Sequence, residues 1–249
     1  MLEFMKNRAT LRQYSQDNIS EALLNELLEI ACRASNTGNM QLYSIVLTRD
    51  AAAKQALAPA HFNQPQVTTA PVVLTFCADL NRYTKWCLQR QANPGFDNIQ
   101  SLAYAAIDAV IASQAFCTAA EANGLGICYL GTTTYNADKI IDALQLPSLV
   151  MPIVTVTVGY PAQAPAMCER LPLAAIIHNE QYSDYSSEDI DALFLEKENL
   201  PANQHYVAIN NKQTLAQVFT DIRYTKKDNE YFSGTFVETL KKQGFLKLV

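Results

Sequence analysis

Two arginines four positions apart stand near the start of the chain, in Asn7-Arg8-Ala9-Thr10-Leu11-Arg12-Gln13-Tyr14-Ser15, with Thr10 between them. If the segment is helical, Arg8 and Arg12 share a face. A guanidinium fork beside a threonine hydroxyl is a good receptor for an anionic group. The same spacing is common on solvated helix faces, so these residues alone leave both readings open. A third arginine, Arg170 in Cys168-Glu169-Arg170-Leu171-Pro172, follows a proline-rich loop. It reaches the end of the sheet near residues 8–12 only if the preceding strand is central. The third stretch is Ser35-Asn36-Thr37-Gly38-Asn39-Met40-Gln41, an uncharged hinge rich in hydrogen-bonding side chains. A helix C-cap and loop would account for Gly38, but not for the amides and hydroxyls around it.

The usual signatures of catalysis are missing. No GxSxG, Walker A or HExxH pattern occurs. Gly124-Leu125-Gly126 follows a helix instead of a strand, which removes the dinucleotide-binding reading. With no obvious nucleophile or acid–base pair, the residues point to a cofactor that brings its own reactivity. Six cysteines are scattered without a CxxC pair, and His61, His178 and His205 lie far apart, so no metal is expected. Nineteen basic against 24 acidic side chains give a formal charge of −5, which argues against nucleic acid. The first residues lack a signal-peptide apolar core. Residues 101–120 are apolar but interrupted by Asp108 and Gln114, so they read as a buried helix and not a membrane span. A cytoplasmic protein is the expectation.

The elements that must position these residues follow from periodicity. Leu23, Leu24, Leu27, Leu28 and Ala31 recur at helical spacing within 19–33, with Ser20 as N-cap and Ile19 stapling onto Leu24. Strands are predicted at 43–50, 71–80, 126–133 and 151–160, the second apolar on both faces and therefore central. Helices are predicted at 51–59, 97–123 and 136–145. The long one is apolar almost all round, as a helix through a core is, and Asn123-Gly124 caps its end. After Tyr160 the chain turns irregular and polar, with a last helical region at 211–243 and a possible short strand over 244–249. Four strands interspersed with helices make one α+β or α/β domain. The final stretch reads as an arm on a partner subunit.

The order of these pieces adds what none gives alone. Arg8-Ala9-Thr10-Leu11-Arg12-Gln13-Tyr14 opens the pattern, and a helix leads to Ser35–Gln41 before a strand. Gly124-Leu125-Gly126-Ile127-Cys128-Tyr129-Leu130-Gly131 follows a long apolar helix, and Gly159-Tyr160-Pro161 then Arg170-Leu171-Pro172 follow the last strand. This order resembles the FMN-dependent nitroreductase family, nearest its oxygen-insensitive NADPH nitroreductase and flavin reductase branch, over roughly residues 4–180. The resemblance implies an α+β sandwich: a mostly antiparallel sheet covered by helices in an intertwined homodimer. Residues 1–180 would be the FMN-binding core, and 181–249 an excursion and arm of the same domain.

It also implies roles. Arg8 and Arg170 would hold the FMN phosphate, with Thr10 on the phosphate or ribityl chain, and Arg12 would lie beside the N1/O2 edge of the ring. Gln64 would face the pyrimidine edge, and the strand end Tyr129, Leu130, Gly131 and Thr132 would pass the ring. Ser35, Asn36, Thr37, Asn39 and Gln41 would reach the partner subunit's flavin. Lys212 and Arg223 are the candidates for the NADPH 2′-phosphate. Two departures stand out: Cys168 replaces a common lysine, and the 204–213 stretch is nearly uncharged, which predicts a weak preference for NADPH over NADH. The implied activity is hydride transfer from NAD(P)H to a small flat acceptor (nitroaromatic, quinone or flavin-like) by a ping-pong route. A non-catalytic FMN-binding or sensing module, and an enzyme of the same fold with different flavin chemistry, stay open at this level.

Overall fold

The computed structural model describes residues 3–246. They divide into two compact units, 3–167 with 232–246 and 168–231.

The first unit is built on four strands: β1 (Tyr43–Thr48), β2 (Val72–Asp79), β3 (Gly126–Leu130) and β4 (Val150–Gly159). Their order is β1-β2-β4-β3 and every pairing is antiparallel. β2 is central, as its apolar faces require, and all eight of its residues are buried. Its side chains alternate between two helical layers. Val72, Leu74 and Phe76 pack with α2 (Glu21–Cys32) and α6 (Ile99–Ala122), while Val73 joins α3 (Ala51–Leu57) and α7 (Ala137–Leu144) on the other face. Ser20 caps α2, its side chain accepting from Leu23 N, and Asn98 caps α6 by accepting from Ser101 N. The possible terminal strand over 244–249 falls partly outside the described residues, and 244–246 are not in a strand.

α6 is long and apolar enough to cross a membrane, yet it is the central helix of this core. Phe116 lies 6.2 Å from Phe76, ring to ring. One stripe of α6 is not covered: Ile99, Ile107, Val110 and Ile111 are exposed.

Three short helices complete the first unit: α1 (Glu3–Lys6), α4 (Pro65–Thr69) and α5 (Asn81–Gln89). The periodicity reading did not include α5, which buries only Cys87. The second unit holds α8 (Ser187–Asn199), α9 (Pro201–Ile209) and α10 (Leu215–Val218), and α11 (Lys226–Lys242) runs on into the first. The single helical region expected over 211–243 is therefore broken, with a π-helical turn at Phe219–Arg223. α8 and α9 bury no side chain.

Candidate functional site

β3 is an edge strand, and an open edge invites further pairing. Residues 11–15 cover it. Leu11 N donates to Ile127 O at 3.0 Å, Ser15 N donates to Tyr160 O, and Tyr14 bridges to Pro161. The Arg8–Arg12 stretch is thus not helical, and the shared helix face expected for the two arginines does not form. What decides is Leu11: it is 2% exposed and packed over Gly126, where a Cβ would come 2.3 Å from Leu11 Cδ2. Gly126 is glycine so that this segment can lie against β3.

The two arginines then have different surroundings. Arg8 Nε pairs with Glu121 Oε1 on α6 at 3.1 Å, and among the described residues its Nη donors have no ion-pair partner. Burial pushes the Glu121 carboxyl up, against the pull of Arg8. Arg12 is exposed and has no carboxylate partner among the described residues. It lies within reach of the Cys128 thiol, as does Gln66, and burial raises that thiol despite Arg12, Gln66 and Arg8. Gln66 Nε2 in turn donates to Gln64 Oε1 at 2.6 Å. The edge therefore gathers Arg8, Arg12, Gln64 and the end of β3.

At that end Leu130 is buried, and its carbonyl accepts from Thr133 N and Oγ1. Tyr129 is exposed on one side, its hydroxyl 3.3 Å from both Ser113 and Gln114. Burial raises its phenol. Gly131 faces open space, with nothing within 4 Å of where a Cβ would stand. Thr132 Oγ1 lies 2.8 Å from Nδ1 of His61. That imidazole is fully buried, and burial lowers its pKa from 6.5 to about 4, so it is neutral at pH 7. Thr10 is half-buried within the covering segment.

The hinge is ordered by one carboxylate. Asp108, 1% exposed on α6, accepts from Thr37 N at 2.8 Å, Thr37 Oγ1 at 2.9 Å and Leu42 N at 3.4 Å. A charge buried in an apolar helix requires such donors. Thr37 is therefore already committed, and Asn36 is turned inward: its Oδ1 accepts from Gln41 N and its Nδ2 donates to Ala34 O. Ser35, Asn39 and Gln41 are exposed. Gly38, Asn39 and Gln41 all have φ near +55°, a left-handed conformation rare for two non-glycine residues so close together.

The remaining sequence candidates lie in the second unit. Arg170 Nη1 donates to the carbonyls of Cys168 and Glu169 at 3.1 and 2.9 Å. Lys212 Nζ is paired with Asp221 Oδ2 at 2.9 Å. Arg223 lies over Tyr206 at 4.6 Å and Phe219 at 5.6 Å. Sequence reasoning missed Glu121, Gln66 and His61 as neighbours of the site and Asp108 as the anchor of the hinge. Only Asp108 left a trace, as a lone charge in an apolar helix.

Known proteins share this sequence and fold. The family model described as "Nitroreductase family" matches residues 5–160. The FMN reductase (NADPH) of Bacillus subtilis is 31% identical over 73% of this chain and 74% of its own. The oxygen-insensitive NADPH nitroreductase of Salmonella typhimurium is 28% identical over 98% and 97%. Among solved structures, a Bacteroides fragilis protein classed as an oxidoreductase is 57% identical with a TM-score of 0.97, covering 98% of this chain and 100% of its own. The B. subtilis nitroreductase NfrA1 superposes with a TM-score of 0.85 at 26% identity over 98% of both chains. With residues 5–160 matched by the family model and the fold shared over 98% of its length, the chain belongs to the nitroreductase family.

Proposed function

We propose that this chain is an FMN-dependent oxidoreductase that takes hydride from NADPH or NADH and passes it to a nitroaromatic, a quinone or a flavin-like acceptor in two successive half-reactions at one site. The observation that carries this reading is the β3 edge. An exposed guanidinium with no carboxylate partner among the described residues, the amide pair of half-buried Gln64 and buried Gln66, and open space beside Gly131 lie along one strand end. That donor set fits a flat, polar-edged ring with an anionic tail.

Bound FMN would supply two-electron chemistry, which no side chain here offers. The chain's own part is electrostatic. Arg12 favours negative charge beside it, and more so the less water remains. Arg8 and Thr10 are assigned to the phosphate end, Gln64 to the pyrimidine edge, and Tyr129, Leu130, Gly131 and Thr132 to the ring. Ser35, Asn39 and Gln41 are the exposed hinge groups assigned to a second subunit, the last two joined by a Gln41 Nε2 to Asn39 Oδ1 bond, while Asn36 and Thr37 hold the hinge in shape.

We assign a homodimer because the exposed stripe Ile99, Ile107, Val110 and Ile111 flanks Asp108, the hinge's anchor. A second copy covering that stripe would complete the site, with 181–249 as its arm. Exposed Leu195, Ile209 and Tyr231 support such an arm. Six free thiols agree with a reducing cytoplasm. The test is the absorption spectrum of the purified protein, followed by anaerobic addition of NADPH and of NADH. Bound flavin bleached by either nucleotide supports the reading. A colourless protein that does not take up FMN, or flavin that stays oxidised, overturns it.

A further inference from the structure

We propose that His61 is a positioning residue that fixes the Thr132 hydroxyl as a hydrogen-bond donor toward the bound flavin; this rests on the FMN reading above. Four observations meet at this histidine. It is fully buried, and its Nδ1 lies 2.8 Å from Thr132 Oγ1. Its Nε2 is buried with no partner among the described residues. The two residues that follow it, Phe62 and Asn63, both have left-handed φ, at 53° and 55°. The loop is also clasped at a second point, where Asn136 Nδ2 donates to Ala60 O at 2.9 Å.

The orphaned nitrogen decides the direction of the bond. With the hydrogen on Nε2, a buried N–H would lack an acceptor, and orphaned donors are rarer in folded proteins than under-used acceptors. With the hydrogen on Nδ1, only a bare lone pair is left at Nε2. The Nδ1–H form therefore holds, and His61 donates to Thr132 Oγ1. Among the described residues the Thr132 hydroxyl has no other hydrogen bond, so its own hydrogen is left to donate elsewhere. It is half-buried and follows Gly131, beyond which the space is open.

The backbone explains why the contact needs holding. Two consecutive left-handed non-glycine residues are strained, and such strain persists where surrounding contacts over-determine it. Those contacts are the His61–Thr132 bond, the Asn136–Ala60 bond and the Phe232 ring, which stacks on Tyr135 at 4.6 Å and meets Phe62 edge-on at 5.9 Å. Gln64 lies three residues beyond His61, its N–H donating to the His61 carbonyl. One imidazole thus ties the loop bearing Gln64 to the loop bearing Thr132.

The first test needs no variant. In the full-length protein, ¹⁵N NMR should show His61 with a protonated Nδ1 and a bare Nε2 at pH 7; the reverse tautomer overturns the proposal. The second uses variants with FMN titration. Asparagine can place its amide nitrogen near the position of Nδ1, so His61→Asn should bind FMN within about twofold of wild type. His61→Phe should bind about three- to tenfold more weakly, the range for one lost hydrogen bond. Thr132→Val should match His61→Phe, and the double variant should be no worse than either. Wild-type affinity in folded His61→Phe, or additive losses in the double variant, overturns the positioning role. A wild-type protein that binds no FMN overturns the functional reading, and this inference with it.

Discussion

Asp108→Asn isolates the groups that hold the hinge. The wild-type carboxylate takes three donors: Thr37 N and Oγ1 on one oxygen and Leu42 N on the other. An asparagine can offer its single oxygen to Thr37, but its amide nitrogen then points a donor at the Leu42 N–H. Hydrogen bonds to a charged acceptor contribute about 1.5–3 kcal/mol against about 0.5–1.5 for neutral ones. Losing the charge on two bonds and the whole of the third destabilises the first unit by about 3.5–6 kcal/mol on that scale. Thr37→Val removes only the hydroxyl bond and should cost about 1.5–3 kcal/mol. Urea unfolding at fixed protein concentration, with the slope unchanged, measures both. The same Asp108 variant should loosen Ser35, Asn39 and Gln41, and so weaken FMN binding. If Asp108→Asn unfolds within about 0.5 kcal/mol of wild type, the surface-substitution range, then water satisfies these donors and the anchoring argument fails.

Three further outcomes are expected. Gly126→Ala puts a methyl 2.3 Å from Leu11 Cδ2, so it should cost about 1–3 kcal/mol by overpacking and weaken FMN binding by displacing Arg8 and Arg12; adding Leu11→Ala should recover the FMN affinity, and failure to do so would separate the segment from the site. His61 has a folded pKa of about 4 against an ordinary 6.5, so above pH 6.5 it has no effect, and as pH falls from 6.5 to 4 the unfolded chain takes a proton the folded chain refuses. That difference amounts to about 3 kcal/mol, and a His61→Asn protein should show a correspondingly flatter fall in urea midpoint across the same window. Lys212 is neutralised by Asp221 and Arg223 is stacked on two rings, so the kcat/KM preference for NADPH over NADH should be about tenfold or less and should rise in Asp221→Asn.

The readable and unreadable parts of this chain differ by how far away each group's partner lies. β2 declared itself because a strand buried on both faces needs apolar residues at every position, a purely local property. α2 did so through its leucine stripe and its serine cap. The arginine spacing misled, since four residues suit a helix and the covering segment alike; the choice rests on Leu11 meeting Gly126, 115 positions later. α6 read as wholly internal, yet Ile107, Val110 and Ile111 are exposed, because hydropathy does not separate a core face from an apolar face left at the surface. α8 escaped because it has no buried face, although Ser186 and Asp189 form the capping box that marks its start. His61 and Asp108 were the hardest. Each is a buried polar group whose partner, Thr132 or Thr37, lies 71 residues away, and no local pattern registers such a pair. The candidate site is nonetheless built on both. The candidates that sequence could identify include exposed groups such as Arg12, Ser35 and Asn39, while the polar contacts that hold the hinge and the Thr132 loop join distant segments that only the fold brings together.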